Sequence, residues 1–144
     1  MTQDVRPAWR QVWLQSLQEI ADLDIQRRTW LNPDNANPHY SYVEYVASYF
    51  DDLGLASADG YSAPIGEGLL SAAEAASVAD FHTRFDAYVQ DGCWDPETIL
   101  ADPKWLEVVE AARSAQARLL LLLGSEEEKV MLTGRSPHAV SAAS

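Results

Sequence analysis

The chain has a single cysteine, Cys93, in 144 residues. One thiol cannot close an internal disulfide, which fits a reducing compartment. Asp91, Asp95 and Glu97 lie close to it, and nearby negative charge raises a thiol pKa, so Cys93 is not an activated nucleophile. Positive charge is also scarce. Ten Lys and Arg stand against 22 Asp and Glu, for a net −12. Nucleic-acid binding and basic membrane-surface helices both need clustered cations, so neither is expected. The longest purely apolar run, Leu119 to Leu123, is far short of the roughly 20 residues that cross a bilayer. The opening Met1-Thr-Gln-Asp-Val-Arg-Pro7 lacks the apolar core of a signal peptide. HExxH, CxxC, GxSxG and glycine-rich phosphate loops are all missing. The expectation is a cytoplasmic, non-enzymatic protein without a cofactor.

What is present is helix signal. The length suits one domain, long enough to bury roughly 70% of its unfolded surface. Pro7 suits a first helical position, and no further Pro or Gly occurs before residue 32. At helical spacing Trp9, Val12, Trp13, Leu17 and Ile20 share one arc, with Gln11, Gln15, Gln18, Asp22 and Gln26 opposite. This predicts one amphipathic helix to Leu31. An Asn/Pro loop follows over 32–38. A second helix is predicted from about Pro38 to Leu53, stopped by Gly54; the β-branched and aromatic content also suits a strand, and the spacing and length favour the helix. Residues 55–68 read as a connection. Ser71-Ala-Ala-Glu74 has the form of a capping box and opens a helix to Asp91-Gly92. Asp95-Pro96 and Asp102-Pro103 each place a capping Asp before a first-turn Pro. The first opens a single turn, the second a long helix to Gly124. Ser125 to Glu128 repeats the capping-box form and opens a last helix to Thr133, with 134–144 expected to be a disordered tail. The reading is all-α: one domain over 1–133, a bundle of four main helices with short capping helices.

The charge is segregated. Residues 1–31 and 103–144 each sum to zero, so 32–102 carries the whole −12, with Arg84 its one base. Asp80 stands one turn before Arg84 in the favourable order for an ion pair. A wide negative field speeds and orients encounter with a basic partner.

The titratable groups have quieter explanations. His82 lies one turn before Asp86, an arrangement able to share a proton or supply two metal ligands, but a metal needs three or four. A structural His82 bonded to Asp86 or to a backbone carbonyl is the simpler expectation. Asp24 falls inside the apolar arc of the first helix, with Arg27 and Arg28 in reach, so a paired buried carboxylate is expected. Glu44 sits among Tyr40, Tyr42, Val43 and Tyr45, and structural polar pairing is expected for it too. Four tyrosines at 40, 42, 45 and 49 cannot all face inward on one helix, so some should be exposed.

The segments Asn37 to Leu53, Gly66 to Glu74 and Ile99 to Trp105 resemble a group of small, acidic, helical bacterial proteins of uncharacterised function, some of immunity-protein type. The likeness spans residues 9–123. It carries over no functional residue. Taken with the charge segregation, the expectation is an immunity-type protein that occludes a basic partner, such as a nuclease toxin, with the acidic surface of residues 44–102. Asp51, Asp52, Asp59 and Glu67 would supply charge, and Tyr45 and Tyr49 the anchors. The alternative is a metal- or small-ligand-binding bundle using His82, Asp86 and Glu44, with Asp24 as a further ligand. A homodimer sealed by Leu119 to Leu123 is a third expectation.

Overall fold

A computed structural model describes residues 6–56, 60–92 and 94–134, and the tail expected over 134–144 lies outside these apart from Gly134. Among the described residues every regular element is helical, so the protein is all-α. The order is α1 (Arg6–Ala21), α2 (Leu23–Trp30), α3 (Tyr42–Val46) with a π-helical turn over Ala47–Asp51, α4 (Ser62–Gly66), α5 (Ala72–Gln90), α6 (Pro96–Ala101), α7 (Pro103–Leu120) and α8 (Glu126–Thr133). The three long helices set the frame. α7 packs on both α5 and α1, and α8 lies against α1 and α7. Trp13, Tyr49, Phe81, Phe85, Trp105 and Leu119 are among the fully buried side chains of one shared core.

The expected helix over 7–31 is broken at Asp22. This residue leaves helical geometry (φ −100°, ψ 81°), and its carboxylate accepts from the Ile25 amide at 3.1 Å. Capping starts a new helix and resets its phase. Gln26 therefore points inward, although its spacing placed it on the polar face. Its side-chain amide donates to Glu19 O at 3.0 Å and Ile20 O at 2.9 Å, and its oxygen accepts from Trp105 Nε1 at 3.0 Å. One side chain thus satisfies the Ile20 carbonyl that the broken helix leaves open and adds a second donor to that of Glu19, which already accepts from Asp22 N. The same reset turns Asp24 outward. It is exposed and pairs with Arg28 at 2.8 Å, so the expected pairing holds and the expected burial does not.

The Asn/Pro loop runs longer than its composition suggests. Asn32, Asn35 and Asn37 each accept, through the side-chain oxygen, from the amide two residues on. These successive Asx turns delay the helix until Ser41, whose hydroxyl caps α3. The chain then widens into the π turn, with Asp52 N bonded to Ala47 O. The extra residue per turn brings Tyr49 and Phe50 to the core side by side. Gly54 ends the segment with φ +70°, as its composition predicted.

Local signals elsewhere hold with small changes. α5 carries the complete capping box: Glu74 N donates to Ser71 Oγ and Ser71 N to Glu74 Oε1. Asp95 and Asp102 cap α6 and α7. Ser125 caps α8, but Glu128 does not reach back to it, because its carboxylate is engaged elsewhere. The stretch read as a connection holds the short helix α4, and α7 ends at Leu120 rather than Gly124.

Candidate functional site

Most of the described acids of the middle segment lie in solvent, Glu74 being the buried one. Asp34, Glu44, Asp51, Asp52, Glu67, Asp91, Asp95 and Glu97 are exposed, and none has an ion pair among the described residues. Arg84 is already engaged, by Asp80 at 2.9 Å and by Glu107 at 3.8 Å. Asp51 and Asp52 close the π turn, and Glu67 caps α4. Asp59 lies outside the described residues.

The expected tyrosine anchors are inside. Tyr42, Tyr45 and Tyr49 are buried and Tyr40 is half-buried. Counting at 3.6 residues per turn put part of this set outside. Instead, Tyr40 precedes the helix, Tyr42 and Tyr45 share one face, and the π turn rotates Tyr49 inward. As folded, Tyr45 and Tyr49 offer no surface to a partner.

Two buried polar networks begin one turn apart on α1. Arg10 spends all five of its N–H groups. Nε donates to Glu128 at 2.6 Å, Nη1 to Leu69 O and Glu74 at 3.1 Å each, and Nη2 to Glu74 at 2.7 Å and Glu128 at 3.1 Å. Burial works against its charge, but bonds to the two carboxylates hold it above its ordinary pKa. Burial also pushes Glu74 up, and the bonds from Arg10 and Ser71 more than reverse this, leaving it below the usual carboxylate range. The cluster ties α1 to the N-termini of α5 and α8.

The second network is neutral. Trp13 Nε1 donates to Tyr61 Oη at 3.0 Å, the Tyr61 and Tyr49 hydroxyls are 2.7 Å apart, and Tyr49 Oη is 2.8 Å from His82 Nδ1. An indole can only donate. Tyr61 therefore accepts from Trp13, and one order of the remaining bonds leaves no hydroxyl proton unused: Tyr61 donating to Tyr49, and Tyr49 to His82 Nδ1. That order uses every hydroxyl once as donor and once as acceptor. It leaves His82 with a bare Nδ1 and its hydrogen on Nε2. Burial lowers the His82 pKa, against a smaller opposite pull from Asp86. Asp86 itself accepts from Gln90 at 2.9 Å, so the partner of His82 is Tyr49 rather than Asp86 or a carbonyl. The ring edge faces Gly60, whose φ is +55° and where a Cβ would stand 3.3 Å from Nε2. His82, Thr83, Asp86 and Ser62 then line the polar part of a groove of about 780 Å³, with Ile65, Ala75 and Ala79 along its apolar part.

The metal form of the alternative finds no ligand set. Glu44 and Asp24 stand exposed on α3 and α2, and among the described residues no three His, Cys, Asp or Glu converge. A different pair does meet. His39 Nε2 lies 2.5 Å from Glu19 Oε2. Burial raises the Glu19 pKa, and His39 pulls it back in part. Neither pair partner carried a spacing signal, because 20 residues and a loop separate them.

No protein-family model matches this chain, and no curated protein or solved structure matches it either.

Proposed function

We propose that this protein is a non-enzymatic binding module that holds a basic protein through the acidic surface of its middle segment. The supporting observation is the set of exposed, unpaired carboxylates described above, in a segment whose single cation is already engaged. A partner's Lys and Arg are the groups that such a surface attracts. Asp51, Asp52 and Glu67 are the first residues to test, and an immunity-type protein that covers a basic nuclease toxin is the concrete form. The field repels phosphate, so the competitor it displaces on the partner is nucleic acid.

The test is affinity capture from the native host's lysate at low and at high salt, with the wild-type chain and with Asp51→Asn/Asp52→Asn/Glu67→Gln. A basic protein retained by the wild type at low salt, and weakened by salt and by the variant, supports the reading. A partner indifferent to both, or clean bait without a salt-sensitive partner, ends it.

A second reading is favoured by one observation, the His82 ring at the groove beside α5, bonded through Nδ1 to Tyr49 so that Nε2 is left for a ligand in the order of bonds given above. A small neutral or cationic molecule with an acceptor oxygen would use the Nε2 hydrogen, and Asp86 would take its donor. Amide shifts from a small-fragment library would cluster at His82, Thr83 and Asp86. Shifts elsewhere, or none, would remove this reading.

A further inference from the structure

Trp94 is the one Trp, Tyr or Phe that stands exposed among the described residues, at 47%, while Tyr45 and Tyr49 are buried. Its ring is held in place all the same. It meets Tyr42 at 5.1 Å between centroids and 71° between planes, and Tyr42 in turn packs edge-on against Trp30, Tyr88 and Trp105. The indole is thus the outer member of a buried aromatic cluster, positioned before any partner arrives. A ring that stands half in water and half on the core is the kind of group that carries much of an interface's energy.

The groups beside the ring decide what can cover it. Asp95 and Glu97 follow Trp94 by one and three positions, and both are exposed without an ion pair among the described residues. Asp95 uses only Oδ2, which accepts from Thr98 N at 3.1 Å and Thr98 Oγ1 at 2.6 Å, so Oδ1 is open. Those bonds hold its carboxyl below the usual range and keep it charged. Asp91, three positions before Trp94, lines a groove with Arg84, Lys104 and Glu107, so its charge is shared there and it is no part of the site. An apolar surface laid on Trp94 would strip water from Asp95 and Glu97 and return nothing to them. An anion would be repelled. A cation can meet the face of the ring and the carboxylates together. Arginine does so better than lysine, because its planar guanidinium lies on an indole while its N–H groups point in plane to a carboxylate. Among the described residues the one cation over a ring is Arg10 on Trp13, so no such contact already occupies Trp94.

We infer that Trp94, with Asp95 and Glu97, is the site that takes an arginine side chain of the basic partner, its guanidinium lying on the indole. This rests on the basic-partner reading, and it moves the aromatic anchor from the buried Tyr45 and Tyr49 to Trp94.

The test uses the full chain at low salt and two peptides, acetyl-Ala-Arg-Ala-Ala-Arg-Ala-amide and its lysine counterpart, with the Trp94 indole Nε1–H followed by NMR. The arginine peptide moves that resonance and binds about 2–5-fold more tightly than the lysine peptide. Trp94→Ala removes the preference, and Trp94→Phe, which keeps a ring against Tyr42, retains part of it. Asp95→Asn with Glu97→Gln weakens both peptides, while asparagine still caps α6. Peptides that bind alike and leave the indole unmoved overturn the site; if Asp51→Asn/Asp52→Asn/Glu67→Gln weakens them, the acidic-surface reading stands without it. Binding that survives high salt makes the ring an apolar contact and overturns the site as well. If neither peptide binds, the site falls, and capture from lysate alone judges the acidic surface.

Discussion

The two networks that leave α1 from Arg10 and Trp13 contrast in charge and in closure. The Arg10 cluster is ionic and complete: five donors meet two carboxylates and a carbonyl, and no valence is left over. The Trp13 chain is neutral and directional, and it ends in a hydrogen with no acceptor among its own members. A closed ionic cluster can only hold elements together, since any ligand would have to displace a buried partner. An open neutral chain fixes the direction of one polar group at a surface. So the buried charge belongs to stability, and the less conspicuous histidine is the group with chemistry to offer.

The largest effect should come from breaking the closed side. Arg10→Met leaves Glu74 and Glu128 without their cation in a buried setting, and should cost about 3–5 kcal/mol. Urea unfolding would read this directly. Replacing all three charges with apolar residues should recover most of the loss, because the pair energy largely offsets its own desolvation. A loss below about 1 kcal/mol for Arg10→Met would mean the cluster is solvated and not the clamp described above.

Next comes the junction that brings α2 under the core. Gln26→Leu keeps the volume but leaves Trp105 Nε1 and the Ile20 carbonyl without their partner, while the Glu19 carbonyl keeps only its bond from Asp22 N. Orphaned buried groups of this kind cost about 2–3 kcal/mol in total. Equilibrium denaturation checks the size, and amide exchange at α2 should rise more than at α5. Equal protection of both helices would show that Gln26 does not hold the break.

Short-range chemistry was legible in the sequence and long-range phase was not. Ser71, Asp95, Asp102 and Ser125 act on amides within three residues, so a four-residue pattern is enough to place them. The break at Asp22 has no Gly or Pro to announce it, and it is supported by Gln26 and Trp105, the latter 79 residues from its partner. Without the break, Asp24 and Gln26 are assigned to each other's environments. The π turn likewise has no composition signal, and it decides whether Tyr49 is an anchor or a core group. The partners of Arg10 lie 64 and 118 residues away, where only the fold brings them. Of the residues expected to carry function, the carboxylates Asp51, Asp52 and Glu67 stayed at the surface because charge alone predicts solvent. The tyrosines did not, because their placement depends on helix phase.

The smallest effect separates burial from chain direction at His82. Tyr49→Phe removes one hydroxyl, leaves the Tyr61 proton and His82 Nδ1 without a partner and should cost about 1–2 kcal/mol. Its pH dependence is the sharper readout. The folded His82 titrates below its ordinary 6.5, so as pH falls past 6.5 the unfolded chain takes up a proton that the folded chain refuses, and stability declines. Protonating Nδ1 requires the chain to reverse, with Tyr49 donating to Tyr61 and the Tyr61 proton left without an acceptor. Without the Tyr49 hydroxyl that obstacle is gone, so the His82 pKa should rise toward 6.5 and the decline should flatten. Glu19 tilts the other way, because its carboxyl titrates above its ordinary 4.5 and the folded chain takes that proton first. Tyr49→Phe leaves the Glu19–His39 pair intact, so the difference between wild-type and variant slopes isolates His82. Melting curves between about pH 5 and 7.5, with histidine shifts followed by NMR, measure both. If the two slopes coincide, burial alone keeps His82 neutral and the hydroxyl chain sets only its orientation.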